Sequence, residues 1–407
     1  MKVHGIVDKK AEKIVEKTMK FCIDTTFAYP LVVKTGKGVY LWDVDDKKYL
    51  DFSSNVCSSN VGYNHPKILE IIKQYSKIGT HKLAGQDFFI EEQANLAEKL
   101  LKIVPKNLKK VFFTNSGAEA NENCLKFAYR KKGPLVGVSC LGAFHGRTLG
   151  ALSFTFSKKV HKKNYPELNH ERIKFCTNDN DAEIDNIEKK ISESKDIAFI
   201  IVEPVQGEGG YNIASKRFLK TLRKVATAND VPLIIDEIQT GMGRTGVWWA
   251  LEHYGIEPDI MSVAKSLQVG ASITSEKYDP KEPGAVSSTW GGGSRIDLAV
   301  GLKTIEIIEK EKLLSKSKKN GAYLLSRLKE LEEDFDVVSN ARGLGMMCAF
   351  DLPNEKIKDK FEFNCFKNGL IILGCGEKSI RAIPPLIIKK GEIDKGLDIL
   401  EKVLKNV

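Results

Sequence analysis

At 407 residues and 42% hydrophobic content, the chain is long enough for two domains around one cleft, and no apolar run approaches the roughly 18 residues of a membrane span. The net charge of +10 comes from 63 Lys and Arg against 53 Asp and Glu, with lysines interleaved among glutamates as in EKEKLLSKSKK, a pattern of solvated helix faces that argues against a nucleic-acid surface. Eight scattered cysteines with no Cys-x-x-Cys pair argue against a zinc site, any other metal centre or a disulfide framework, and a Lys- and Glu-rich start without a signal-peptide core leads to the expectation of a cytoplasmic protein.

Residues 8–20 have helical spacing, and LVVKTGKGVYLWDVDDKKYLDFSS then alternates apolar and polar residues around Gly and Asp turns, predicting a small antiparallel meander. VGYNHPKILEIIKQYSK reads as a proline-opened helix and FFIEEQANLAEKLLKIVP as another ending at Pro105. In KKVFFTNSGAEANENCLKFAYRK, Val111 to Phe113 predict a strand, Thr114 to Gly117 a polar turn, and Ala118 onward a helix. A Ser-Gly turn at a helix N-terminus offers N–H groups, a hydroxyl and a positive dipole end to a phosphate. Plain N-capping by Ser116 accounts for it equally well.

A strand over 134–140 leads into GAFHGRTLGALSFT, where Phe144 and Arg147 on a Gly-flanked loop suit stacking on a flat ring and capture of a carboxylate. A core Phe beside a surface Arg is the plainer alternative. A charged helix over 182–195 follows, then the strand in IAFIIVEPVQGEGGY ends at Glu203, with Glu208 projecting from a glycine loop. A helix from Ser215 to Asn229 completes this unit.

Two short aliphatic runs come next, Val231 to Ile235 ending on Asp236 and Glu237, and Ile260 to Ala264 ending on Lys265. They predict buried parallel strands delivering charge at their carboxyl ends, joined by a crossover helix from Gly246 to Gly255. An aspartate for a pyridinium nitrogen beside a lysine able to form a Schiff base is what pyridoxal 5'-phosphate asks of a protein. Strand-end Asp and Lys also occur in many α/β proteins as solvated or paired charges. Repeated strands ending in polar, glycine-rich turns argue for an α/β fold with one mostly parallel sheet and one catalytic rim. The turn in VSSTWGGGSRIDLAVGLKTIEIIEK opens a long helix and begins an α+β unit that supplies Arg381. Expected divisions are 1–50 for the helix and meander, 51–294 for a large cofactor-binding domain, and 295–407 for a small C-terminal domain.

The motifs NSGAEAN, AFHGRT, EPVQGEGG, the DEIQTGMGRTG block, Lys265, STWGG and Arg381-x-x-Pro-Pro-Leu occur in an order that resembles class III, or omega, aminotransferases, from about Asp43 to the C-terminus. The likeness in motifs is nearest to lysine 6-aminotransferase and 4-aminobutyrate aminotransferase. It implies the fold type I of pyridoxal-phosphate-dependent transferases, a large domain with a mostly parallel, seven-stranded-type sheet plus the smaller α+β domain. It also implies that Lys265 carries the cofactor and acts as general base, Asp236 pairs its ring nitrogen, Gln239 its phenolic oxygen, and Phe144 stacks on it. Ser116, Gly117 and Ala118 would bind the phosphate, with Thr289 reaching the neighbouring site of a homodimer. Arg147 would hold the donor's carboxylate and Arg381 that of 2-oxoglutarate, Glu208 neutralising Arg381 in alternate half-reactions.

Three departures from the resembled pattern bear on the donor: Ser266-Leu267-Gln268-Val269-Gly270 after the lysine, Gly291-Gly292-Gly293 after Trp290, and Ala382-Ile383 after Arg381. The first two favour L-lysine or 4-aminobutyrate. L-ornithine belongs to the same expectation, with acetylornithine aminotransferase or an amino-acid racemase or epimerase as alternatives.

Overall fold

The computed structural model describes residues 9–23, 25, 29–85, 87–286 and 289–406. Helix α1 (Lys9–Phe21) precedes strands β1 (Val33–Lys37), β2 (Tyr40–Asp43) and β3 (Lys48–Asp51), the expected meander. A short turn, α2 (Ser54–Cys57), follows and is left-handed throughout, with φ of 47°, 48°, 54° and 66°. Left-handed backbone costs a non-glycine residue roughly 1–2 kcal/mol, so four in succession persist only if the surroundings hold them.

Helix α3 (Pro66–Tyr75) opens on its proline, and α4 (Glu91–Leu101) buries Leu96 and Leu100 on one face. Next come β4 (Leu108–Thr114), α5 (Gly117–Lys132), β5 (Val136–Cys140), the short α6 (Leu149–Ser153), β6 (His170–Ile173), α7 (Glu183–Glu193) and β7 (Ile197–Val202). Every residue of β7 is buried, as its unbroken apolar sequence predicts for a central strand. A two-residue pair, β8 (Val205–Gln206) with β9 (Asn212–Ile213), closes the glycine loop. Helix α8 (Lys216–Ala228) begins at Ser215, whose Oγ accepts from Phe218 N at 3.2 Å.

Strands β10 (Leu233–Asp236), β11 (Ile260–Val263) and β12 (Gly270–Ser275) complete a seven-stranded sheet in the order β4-β12-β11-β10-β7-β5-β6. Every pairing is parallel except the two made by β12, which runs antiparallel to β11 and β4. The six residues 264–269 between β11 and β12 are too few for a crossover, so the chain must double back.

The crossover helix expected over 246–255 does not form; a single 3-10 turn, Ala250–His253, takes its place. Trp249 is driven into the core with Nε1 donating to Ile103 O at 2.6 Å, while Tyr254 OH reaches the carbonyls of Pro204 and Ala214.

Helices α9 (Arg295–Lys310) and α10 (Leu313–Asp334) lead to β13 (Ser339–Leu344), β14 (Met347–Asp351), α11 (Glu355–Lys367), β15 (Leu370–Ile371), β16 (Leu373–Cys375), β17 (Ser379–Ala382) and α12 (Lys390–Leu404). An antiparallel sheet of order β13-β14-β17-β16 holds Arg381. Strand β15 joins the N-terminal meander, pairing parallel with β3 through Leu370↔Leu50 and Ile371↔Asp51. The first and last parts of the chain therefore share one sheet. Seven of the eight cysteines are buried and Cys22 is exposed. No described helix is long and apolar enough to cross a membrane.

Candidate active site

A cleft of about 480 Å³ opens over the carboxyl ends of β4, β7, β10 and β11. A larger groove of about 1280 Å³ crosses the opposite end of the sheet, near Lys102, Arg223 and Trp248, and gathers none of the expected site residues. Adjacent parallel strands deliver Asp236 and, two residues beyond β11, Lys265, in the register Asp236↔Ser262. Lys265 itself adopts φ 51°. Burial pushes its amine below the usual lysine value; Arg381 adds to this, while Cys57, Glu208 and Asp236 oppose it. The net effect favours the neutral, nucleophilic amine.

Asp236 is 4% exposed and held from three sides. Its Oδ2 accepts from Asn121 Nδ2 at 2.7 Å and pairs with His145 Nδ1 at 2.8 Å, and Oδ1 accepts from Ile238 N at 3.0 Å. Beside it, burial raises Glu203, whose two oxygens accept from Phe144 N at 2.9 Å and Gly207 N at 3.0 Å. Glu203 thereby fixes both loops that flank the cleft.

Ser116 caps α5, its Oγ accepting from Glu119 N at 3.2 Å, and Gly117 and Ala118 begin the helix facing the cleft. A side chain at Gly270 would collide with Thr114 Oγ1 and Ser116 O, so only glycine lets β12 run directly beneath this turn. Phe144 forms one wall, with His161 edge-on at a ring distance of 5.7 Å. Arg147 is exposed at the mouth. Burial lowers His161, with Lys158 and Arg147 adding to the shift and Glu208 opposing it, so the mouth is cationic.

Arg381, on β17, donates from Nη1 to Glu208 Oε1 at 2.6 Å. Although burial pushes Glu208 upward, the guanidinium outweighs it and holds the carboxyl below its usual value. Gln239 lines the cleft and accepts from Tyr211 OH at 2.6 Å. Thr289 does not line this cleft; its Oγ1 donates to Phe113 O at 3.1 Å.

Ser116 to Ala118, Phe144, Arg147, Asp236, Gln239 and Lys265 thus converge on one cleft, and Lys265 senses the Arg381–Glu208 pair. Asn121, Tyr211, Cys57 and Arg244 carried no sequence signal that singled them out, although Asn121 and Arg244 lie inside the quoted motifs. The site fits pyridoxal phosphate: an amine for its aldehyde, a triply held carboxylate for its ring nitrogen, an aromatic wall, and a helix N-terminus for its phosphate.

The class-III aminotransferase family model matches residues 24–404. The chain is 36% identical over 391 residues to the acetylornithine aminotransferase of Archaeoglobus fulgidus, covering 95% of this chain and 99% of that protein. It is 34% identical over 397 residues to the 5-aminovalerate aminotransferase DavT of Pseudomonas aeruginosa, covering 91% and 93%. The solved structure of lysine aminotransferase from M. tuberculosis superposes with a TM-score of 0.89 at 28% identity, covering 97% of this chain and 99% of that one.

Proposed function

The chain belongs to the class III aminotransferases, pyridoxal-phosphate-dependent enzymes, and from that premise we propose that it transfers the terminal amino group of N-acetylornithine to 2-oxoglutarate, giving a semialdehyde and L-glutamate. The observation that carries this reading is charge at the cleft: Arg147 stands exposed, whereas Arg381 is already paired with Glu208 at 2.6 Å. A donor with one carboxylate takes Arg147 and leaves Arg381 neutralised. A dicarboxylate displaces Glu208 and uses both arginines.

The acylated α-nitrogen has a physical motive. The acidic side chains lining the cleft, Glu203 and Asp236, are engaged with backbone N–H groups and with Asn121 and His145. A free α-ammonium would meet the cations Arg147 and Lys158, while Glu208 is already engaged by Arg381. The similarity to acetylornithine aminotransferase of A. fulgidus supports the same donor. The donors first expected, L-lysine, 4-aminobutyrate and L-ornithine, form the second reading, supported by the lysine aminotransferase fold neighbour and by the Gln268 turn.

Pyridoxal phosphate, when bound, supplies the electron sink for the C–H bond broken beside the amino nitrogen. Lys265 would take that proton at Nζ and return it on the cofactor's side, its lowered basicity suiting it to both directions. Asp236 would hold the ring nitrogen's proton, and the start of α5 the phosphate. Thr289, outside its own cleft, would reach the corresponding site of a second copy in a homodimer.

The test is the visible spectrum of the holoenzyme as N-acetylornithine, L-lysine, 4-aminobutyrate and L-ornithine are added singly, without an oxo acid. N-acetylornithine should bleach the cofactor band fastest, and 2-oxoglutarate should restore it. Faster bleaching by an unacylated donor replaces the first reading with the second. Interconversion of enantiomers without any oxo acid would point to racemisation. Full turnover by Lys265→Ala would sink the chemistry altogether.

A further inference from the structure

Tyr211 ends the glycine loop in an unusual state: its side chain is 1% exposed, and its backbone has φ 56°, a region a bulky residue occupies only when its surroundings over-determine it. The constraints are visible. Tyr211 N donates to Gln206 O at 2.8 Å, and Arg342 donates to the carbonyls of Gly210 and Tyr211 while its Nη2 is paired with Asp351 Oδ1 at 2.9 Å.

This clamp delivers the Tyr211 hydroxyl to Gln239 Oε1 at 2.6 Å; its other polar neighbour, Cys57 Sγ, lies 4.0 Å away, beyond a strong bond. The hydroxyl therefore donates to the amide oxygen, and that choice fixes which way round the amide sits. Gln239 Nε2 lies over Gly207, where a Cβ would come within 2.5 Å of it. Burial, then Cys57, raises Tyr211 well above an ordinary tyrosine, so it remains a neutral donor throughout the working range.

We propose that Tyr211 is a positioning residue whose hydroxyl locks the Gln239 amide, so that a donor and not an acceptor meets the phenolic oxygen of the cofactor. The inference rests on the pyridoxal phosphate reading of the cleft. Its consequence is electronic: a fixed donor favours the deprotonated oxygen, and an amide free to flip does so less.

The experiment compares visible absorption of the holoenzymes as pH is raised. Tyr211→Phe keeps the ring and removes only the hydroxyl; its spectral midpoint should rise by about one pH unit, the scale of one hydrogen bond to a charged acceptor. Gln239→Leu should shift in the same direction, and adding Tyr211→Phe to it should change nothing further. A wild-type midpoint in Tyr211→Phe, or shifts that simply add in the double variant, overturns the proposal. Should Tyr211→Phe fail to fold, Gln239→Leu decides alone, an unmoved midpoint being the adverse result. A wild-type protein that binds pyridoxal phosphate without a pH-dependent band would instead refute the underlying reading of the site.

Discussion

His145 Nδ1 stands 2.8 Å from Asp236 Oδ2, and both side chains are buried at the head of β10. The same oxygen accepts from Asn121, so the carboxylate's rotation is set by residues on α5 and on the loop before α6. Replacing His145 by Phe retains a flat ring and removes one of those restraints. Affinity for pyridoxal phosphate, measured by equilibrium dialysis, should fall about tenfold, and kcat by a similar factor, with KM for 2-oxoglutarate unchanged. Wild-type affinity would show that Asn121 and Ile238 N suffice.

Glu208 and Arg381 make a separable prediction. Glu208→Ala leaves Arg381 without its internal counter-charge, so the donor half-reaction should slow by roughly tenfold or more. The half-reaction with 2-oxoglutarate, which brings its own second carboxylate, should change far less. Single-turnover rates of the two halves provide the check, and equal losses would exclude the charge switch.

Glu237 predicts a pH dependence of stability. Burial pushes its carboxyl up to about 7, with Asp236 contributing, despite hydrogen bonds from Thr240 and Leu251 N. The folded state therefore holds this proton more tightly than the unfolded chain, whose carboxyl titrates near 4.3. The stabilisation is complete below the unfolded value and is lost as pH rises through about 7. Glu237→Gln keeps the shape without the titration, so its Tm should exceed wild type at pH ~8 by more than at pH ~5. A parallel offset at both values would count against the assignment.

The large sheet and the site differ in how much of them the residues announce. Unbroken runs such as Ile197–Val202 and Leu233–Asp236 mark buried strands because every face there is covered, and Asp236 and Lys265 are visible where those runs stop. The reversal of β12 was not legible, because strand direction depends on what a six-residue turn can span. Trp249 hid the missing helix, since helical spacing over 246–255 does not reveal that its indole bonds Ile103 O across the core. Tyr211 was equally silent: its role depends on a strained backbone clamped by Arg342, 131 residues away. The donor was the least legible feature, since discrimination among ω-amino acids turns on pocket depth and on which cleft charges are already paired.

Arg244 offers the last prediction. It is 0% exposed, and among the described residues no carboxylate accepts from it. Its Nη1 donates to Pro384 O at 2.7 Å and Met346 O at 3.2 Å, and its Nη2 to Ser54 Oγ at 3.1 Å and to Asn60 Oδ1. One guanidinium thus ties the left-handed turn to the segments around β14 and β17. A lysine brings three donors from a single point and cannot reach four acceptors spread over separate segments. It would also leave a buried ammonium poorly compensated, whereas Met removes the charge with its desolvation cost. Arg244→Lys should therefore destabilise by about 3 kcal/mol and more than Arg244→Met, an order that thermal unfolding resolves. Because Ser58 lines the cleft and its carbonyl accepts from Gln268 Nε2 at 2.9 Å, both variants should also weaken cofactor binding. Lys outperforming Met would mean that the charge itself, and not the fork of donors, secures the turn.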